Sequence, residues 1–140
     1  MQKQKWVCGI LIVLLLVFGI GMWQHGKNER TKLEVMCKAS ASAALEHFEA
    51  YNAERKESDY LAGVAEFRSF MTTYLCLTDE AGQAEYLWCS EVYGGMILHP
   101  ETIQENLFTL MDVLRNLAVD YDDPNGFQGL SRLVNVLKVG

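Results

Sequence analysis

One uncharged stretch decides the fold: residues 6–23, which read WVCGILIVLLLVFGIGMW. As an α-helix these residues span about 27 Å, close to the roughly 30 Å of a bilayer's hydrocarbon core. A buried helix of a soluble domain is rarely apolar on every side. The stretch therefore predicts a single transmembrane helix, with Leu14, Leu15 and Leu16 near its centre.

The two ends of this stretch carry the side chains that favour membrane interfaces. Trp6 and Trp23 stand where aromatic belts form, and Lys5 and Lys27 lie outside them, where long basic side chains reach the headgroups. Residues 1–5 are then a short basic tail, and residues 24–38 are a basic juxtamembrane segment that runs into the first helix of the domain. The basic residues of this segment are Lys27, Arg30, Lys32 and Lys38.

A cleaved signal peptide is the competing interpretation, with Lys3 and Lys5 as its charged region. The apolar stretch is longer than an h-region of about 7–15 residues, and no Ala-x-Ala-like site follows it. We therefore expect the helix to be retained.

The orientation rests on a nearly tied count of basic groups. Lys3, Lys5 and the α-amine precede the helix, and four basic side chains follow it. A short basic tail directly before the apolar stretch is typical of a signal-anchor. This layout predicts a single-pass protein of the cell membrane with an extracytoplasmic domain.

Charge is divided unevenly along the chain, which has a formal net charge of −6. From residue 39 onward, six basic side chains stand against sixteen acidic ones, a net charge of −10. Such a domain repels phosphate backbones, so nucleic-acid binding is disfavoured. Solubility alone accounts for the acidity.

Residues 39–140 read as amphipathic helices separated by short breaks. The spacing predicts a first helix from about residue 29 to 57, a second after Ser58-Asp59, a third from Thr78-Asp79-Glu80 to Gly94-Gly95, a fourth from Pro100 to Tyr121, and a short last one over residues 127–137. Residues 122–126 predict a turn, and residues 96–98 a brief extended piece. We expect an all-α fold: a transmembrane helix followed by an antiparallel bundle of four to five helices.

The cysteines offer one candidate bridge. Cys8 lies in the apolar stretch, which leaves Cys37, Cys76 and Cys89 in the remainder, and none belongs to a Cys-x-x-Cys motif. Buried free thiols are the ordinary interpretation. If the domain faces an oxidising compartment, Cys76 and Cys89 are the expected disulfide pair.

No motif predicts catalysis, a metal or a cofactor. The acidic tract that begins at Asp120 resembles a calcium loop, but Pro124 and Ser131 fill positions that an EF-hand gives to ligands. The three histidines have no metal-ligand spacing. The aromatics at positions 67, 70, 74, 86, 88 and 93 are dense enough to line a pocket, although helical spacing favours a core.

These observations favour a protein that is not an enzyme. The leading hypothesis is a membrane-tethered helical module that binds another membrane or surface protein, as an accessory or assembly subunit of a membrane complex. The alternative is an extracytoplasmic small-ligand sensing domain that acts through a partner.

Overall fold

The computed structural model describes the backbone of residues 2–79 and 82–140, and the side chains of residues 9–79 and 82–140. Within these ranges there are six α-helices and no strand, so the expected all-α class is confirmed. The helices are α1 (Gln2–Glu54), α2 (Glu57–Leu77), α3 (Gln83–Leu98), α4 (Pro100–Glu105), α5 (Leu107–Val119) and α6 (Pro124–Val139).

The chain divides into two compact units, Met1–Lys32 and Leu33–Gly140. In the first unit, α1 is long and apolar enough to cross a membrane, and none of its apolar window is buried in the structure. The predicted segment boundaries at residues 5, 23 and 38 remain predictions. Cys37, placed in the juxtamembrane segment by the sequence, belongs to the core of the second unit.

In the second unit one core joins all six helices. The part of α1 around Phe48 contributes to it, α3 packs against α2 and α6, and α5 packs against α6. The apolar stripe expected after Pro100 is buried as predicted, at positions Ile103, Leu107, Leu110, Met111, Leu114 and Leu117.

The third and fourth helices do not have the predicted boundaries. α3 continues through Gly94 and Gly95 to Leu98, so residues 96–98 are not extended. Gly95 instead allows α6 to approach, since a Cβ atom there would lie 2.5 Å from Cδ1 of Leu137. The helix expected from Pro100 to Tyr121 breaks at Asn106, whose Nδ2 donates to the carbonyl of Thr102 at 2.8 Å.

The expected turn at residues 122–126 is a helix start. Asp123 caps α6, because its Oδ2 accepts a hydrogen bond of 2.7 Å from the backbone N–H of Gly126. Pro124 occupies the first helical turn, where its missing N–H costs nothing. The first helix of the domain is continuous with the apolar stretch, so α1 begins before the expected residue 29, and it ends at Glu54.

Candidate functional site

The second unit has a groove of about 490 Å³ between the end of α1, the start of α2, the end of α3 and α4. We call it the tyrosine groove. Its floor and walls include Tyr51, Tyr60, Leu61, Val64, Met96 and Ile97, and its rim carries Arg55, Glu57, Glu101 and Gln104.

Tyr60 joins the helices that form the groove. Its O–H donates to the carbonyl of Met96 at 3.0 Å, across from α2 to α3. Its ring packs against Phe48 and Tyr51, with centroids 5.7 and 5.3 Å apart. Burial raises the pKa of this phenol, and the neighbouring Tyr51 and Glu101 add to the shift. The O–H therefore remains a donor at neutral pH, which keeps this wall of the groove in place.

Arg55, at the rim of the tyrosine groove, has a left-handed backbone conformation. Its φ is 56°, and its N–H donates to the carbonyl of Tyr51 at 2.7 Å, which closes the end of α1. Glycine is the usual residue at such a position, because a side chain costs about 1 kcal/mol there. The guanidinium carbon lies 5.3 Å from the centroid of the Tyr51 ring. Strained residues of this kind cluster at binding sites.

Two aliphatic side chains of the groove face solvent. Leu61 is 57% exposed and Ile97 is 55% exposed, on facing helices. They lie beside the buried Tyr51, Tyr60 and Met96 and the exposed Arg55. Tyrosine, methionine and arginine are enriched in protein interfaces. Within the described residues no group of three His, Cys, Asp or Glu side chains is placed to hold a metal ion.

A second, smaller cavity of about 380 Å³ lies between α3 and the start of α6. We call it the carboxylate cavity, and its lining includes Glu85, Trp88, Asp122, Phe127, Gln128 and Ser131. Asp122 accepts a hydrogen bond of 3.1 Å from the O–H of Tyr74. Oε2 of Glu85 is buried and has no hydrogen-bond partner.

The predicted membrane-anchor residues belong to the first unit. Leu14, Leu15, Leu16 and Trp23 are exposed, and the side chain of Trp6 lies outside the described residues. In the juxtamembrane segment, Lys27 Nζ lies 3.8 Å from the centroid of the Trp23 ring.

Among the other juxtamembrane basic residues, Lys32 has a partner one helical turn away. Lys32 forms an ion pair of 3.0 Å with Glu29, and this pair lowers the pKa of the Glu29 carboxyl. Arg30 also lies on this exposed part of α1.

The thiols of Cys37, Cys76 and Cys89 are free, and the predicted Cys76–Cys89 bridge remains a prediction. Cys76 is exposed and Cys89 is buried. Burial raises the pKa of Cys89, and the Cys37 thiol adds to the shift. Burial also raises the pKa of Cys37 to about 12, and its Sγ lies 3.8 Å from the carbonyl oxygen of Phe70. The two core thiols are therefore protonated at neutral pH.

Sequence reasoning missed the tyrosine groove. Leu61 follows the helical spacing of apolar residues in α2, which predicts burial, and Ile97 lies in the predicted extended piece, yet both are exposed residues of helices. The available signal was the run of apolar residues just before Pro100, too many for one buried helix face. Of the aromatics considered for a pocket, Phe67, Phe70 and Tyr74 are core residues, and Trp88 lines the carboxylate cavity.

No family model, curated protein or solved structure matches this chain.

Proposed function

We propose that the chain is a membrane-tethered protein-binding module, an accessory or assembly subunit of a membrane complex, whose tyrosine groove receives a segment of the partner. The observation that carries the proposal is the groove itself, with Leu61 and Ile97 exposed beside Tyr51 and Arg55. Apolar and aromatic side chains with an arginine at a polar rim are the composition of interface centres.

The tether is the apolar part of α1. A core helix of a soluble protein would be buried, whereas this apolar window has no buried residue. Single-pass insertion in the cell membrane accounts for so many exposed aliphatic side chains. In the second unit, the short connections and the contacts of α3, α5 and α6 support the antiparallel bundle as the rigid carrier of the groove.

The negative charge of the groove rim and of the domain favours a partner segment with basic residues. The groove rim carries Glu57 and Glu101 against Arg55, and the chain from residue 39 onward has a net charge of −10. A segment with one apolar anchor side chain and basic flanks complements both the floor and the rim. The long-range field of an acidic domain also attracts such a segment and accelerates association at low salt.

Site-specific photocrosslinking tests this proposal. A benzophenone amino acid is placed at position 61 or 97 of the full chain in its native membrane, and position 87 is the control, because Leu87 is 58% exposed but outside the groove. We expect one discrete adduct from positions 61 and 97 only, with basic residues around the crosslinked peptide. High salt or Glu57→Lys with Glu101→Lys should reduce its yield severalfold.

Three results would contradict the groove as the docking site: equal adducts from position 87, an acidic crosslinked peptide, or a yield insensitive to salt and to charge reversal. An adduct of twice the chain's own mass would instead make the partner a second copy, and the heteromeric proposal would be wrong.

The tether is tested separately by intact mass. The full-length mass should remain with membranes after alkaline carbonate extraction. A soluble species beginning after about residue 22 would establish a cleaved signal sequence.

The small-ligand sensor is the second candidate function, and the carboxylate cavity is the observation that favours it. The cavity is within the size range of small-molecule sites, about 300–1,000 Å³, and combines apolar walls with a few polar groups.

A further inference from the structure

Arg55 is an exposed cation at the rim of the tyrosine groove. Its neighbours in sequence, Glu54 and Lys56, form an ion pair with each other. Among residues 9–79 and 82–140, Arg55 has no ion pair, and its guanidinium carbon lies 5.3 Å from the centroid of the Tyr51 ring. The N–H donors of this guanidinium are therefore available to a ligand.

The backbone at Arg55 gives an independent reason to expect a ligand. Its φ of 56° is left-handed, and glycine is the usual residue in that conformation at a helix end. The dipole of α1 favours a cation beside its last turn, but Lys56 supplies one from an extended backbone. Neither the turn nor the dipole requires an arginine at position 55, whereas strained residues are common at binding sites.

The charges around Arg55 select the kind of anion. Glu57 and Glu101 lie on the same rim, and in the described part of the chain neither has an ion pair. These two carboxylates repel a dianionic phosphate more strongly than a singly charged anion. A carboxylate also matches the edge of a guanidinium with two parallel hydrogen bonds. The rim therefore favours one carboxylate within a segment that is otherwise basic.

The floor of the groove adds an apolar requirement. Leu61 and Ile97 line the same groove as Arg55, and both are more than half exposed. A carboxylate that reaches Arg55 should therefore stand beside an aliphatic side chain that covers them. An aliphatic residue at a C-terminus has both groups in one residue, and an aspartate or glutamate next to a leucine has them in two.

We propose that Arg55 binds a carboxylate of the partner's segment, next to the apolar side chain that enters the tyrosine groove. This inference rests on the proposed function and deepens it, because it makes Arg55 a specificity-determining residue of the groove. The carboxylate comes either from the C-terminus of the partner or from an acidic side chain within its segment.

Calorimetric titration of the full-length chain in detergent tests the proposal with three acetylated peptides. The first is KKAL with a free C-terminal carboxylate, the second is KKAL amide, and the third is KKDL amide. We expect at least one carboxylate-bearing peptide to bind about tenfold or more tightly than KKAL amide. The acidic domain attracts KKAL amide most, since that peptide has the highest positive charge, so general electrostatics predicts the opposite order.

Substitutions assign this preference to the guanidinium. Arg55→Gln should remove the preference for a carboxylate and leave the binding of KKAL amide unchanged. Arg55→Lys should retain part of it, because the charge remains but the paired hydrogen bonds are lost. Arg68→Gln is the matched control, since Arg68 is exposed on α2 outside the groove and should not affect binding. Melting temperature checks that each variant is folded.

The pattern of binding identifies the source of the carboxylate. Tight binding of free KKAL alone supports a C-terminus, tight binding of KKDL amide alone supports an acidic side chain, and tight binding of both supports a carboxylate in either position. Equal binding of all three peptides, no binding of any, or an unchanged preference in Arg55→Gln would overturn the inference.

Photocrosslinking separates this inference from the proposed function. A discrete adduct from position 61 whose yield is the same in Arg55→Gln would leave the groove as the docking site and refute the carboxylate contact. Absence of the adduct in the unmodified chain would instead refute the proposed function.

Discussion

Leu114 and Arg115 are neighbours in α5 that occupy opposite environments. Leu114 is fully buried in the core, whereas Arg115 is exposed and pairs with Asp112 at 2.6 Å and Glu49 at 3.3 Å. Leu114→Asp should lower the free energy of unfolding by several kcal/mol, because it buries an unpaired charge. Arg115→Ala should cost about 0.5 kcal/mol or less, since exposed ion pairs contribute little. Denaturant unfolding measures both, and equal losses would contradict the assigned face of α5.

We expect the substitution Arg55→Gly to have opposite effects on stability and on partner binding. Arg55→Gly should raise the free energy of unfolding by about 1 kcal/mol, because glycine adopts the left-handed backbone without strain. The same change removes the guanidinium from the groove rim and should lower the crosslinking yield from position 61. Arg132→Gly, on the exposed face of α6, is the control and should be destabilising by about 1 kcal/mol. An Arg55→Gly protein that is less stable would show that the side chain contributes more than the strain it causes.

The three domain cysteines should react with a maleimide in a fixed order. In a Cys8→Ser chain, Cys76 should be labelled at once at neutral pH, because it is exposed. Cys37 and Cys89 should be labelled only after denaturation, since burial both shields them and raises their pKa, so that little thiolate forms. Intact mass counts the adducts. Protection of Cys76 that is lost on reduction would establish the predicted bridge to Cys89.

At the residue scale, sequence patterns predicted burial better than they predicted the groove. The stripe from Ile103 to Leu117 repeats with one helical period across α4 and α5, so its inward phase could be read directly. The tyrosine groove combines side chains near residues 51–64 with others near residues 96–104, and no local period connects them. Only the packing of α2 against α3 brings these segments together.

Tertiary packing and side-chain hydrogen bonds, rather than residue composition, explain where two of the helices end. Gly94-Gly95 has the composition of a helix end, yet the close approach of Leu137 explains the second glycine within α3. At Asn106 the apolar stripe continues without interruption, so periodicity could not reveal the break between α4 and α5. The side-chain hydrogen bond from Asn106 to Thr102 offers the backbone an alternative to continuing the helix.

The contact between α1 and α2 depends on a glycine. A Cβ atom at Gly63 would lie 2.9 Å from the ring of Phe48, which is fully buried and has little freedom to move. Gly63→Ala should therefore destabilise the protein by about 1–2 kcal/mol, despite the better helix propensity of alanine. Gly94→Ala is the matched control, because nothing lies within 4 Å of the new Cβ, and it should be stabilising by about 0.5–1 kcal/mol.

Thermal unfolding of the two alanine variants compares them directly. Equal stabilisation by both substitutions would mean that Phe48 has room to move away from α2. The contact would then be looser than the distances indicate.

At the scale of the whole molecule, charge and hydropathy divide the chain as the contacts do. The uncharged apolar stretch and a surplus of basic over acidic residues precede Leu33, and the acidic surplus follows it. Composition can predict this division because the bilayer, which is the proposed environment of the first unit, and water favour different residue types. Composition does not predict on which side of the membrane the domain would lie, since the numbers of basic residues before and after the apolar helix are nearly equal.

The last prediction concerns the side of the membrane on which the domain lies, and a cysteine placed at Asn125 can test it. Asn125 is exposed near the start of α6, outside both cavities, so its accessibility depends on topology rather than on burial. In a cysteine-free chain carrying Asn125→Cys, a membrane-impermeant maleimide should label intact cells. Permeabilised cells must be labelled in either orientation, which controls for a hidden thiol.

An extracytoplasmic domain has a consequence for its partner as well as for its thiols. Labelling of intact cells would place the acidic groove and the exposed Cys76 in a compartment where disulfides persist, and the basic segment would bind the outer headgroups. Labelling only after permeabilisation would place the domain in the cytoplasm. The positive-inside rule would then have acted through Lys27, Arg30 and Lys32 rather than through the basic residues before the helix. The Cys76–Cys89 bridge would then lose its oxidising compartment, and the partner would have to present its basic segment on the cytoplasmic side.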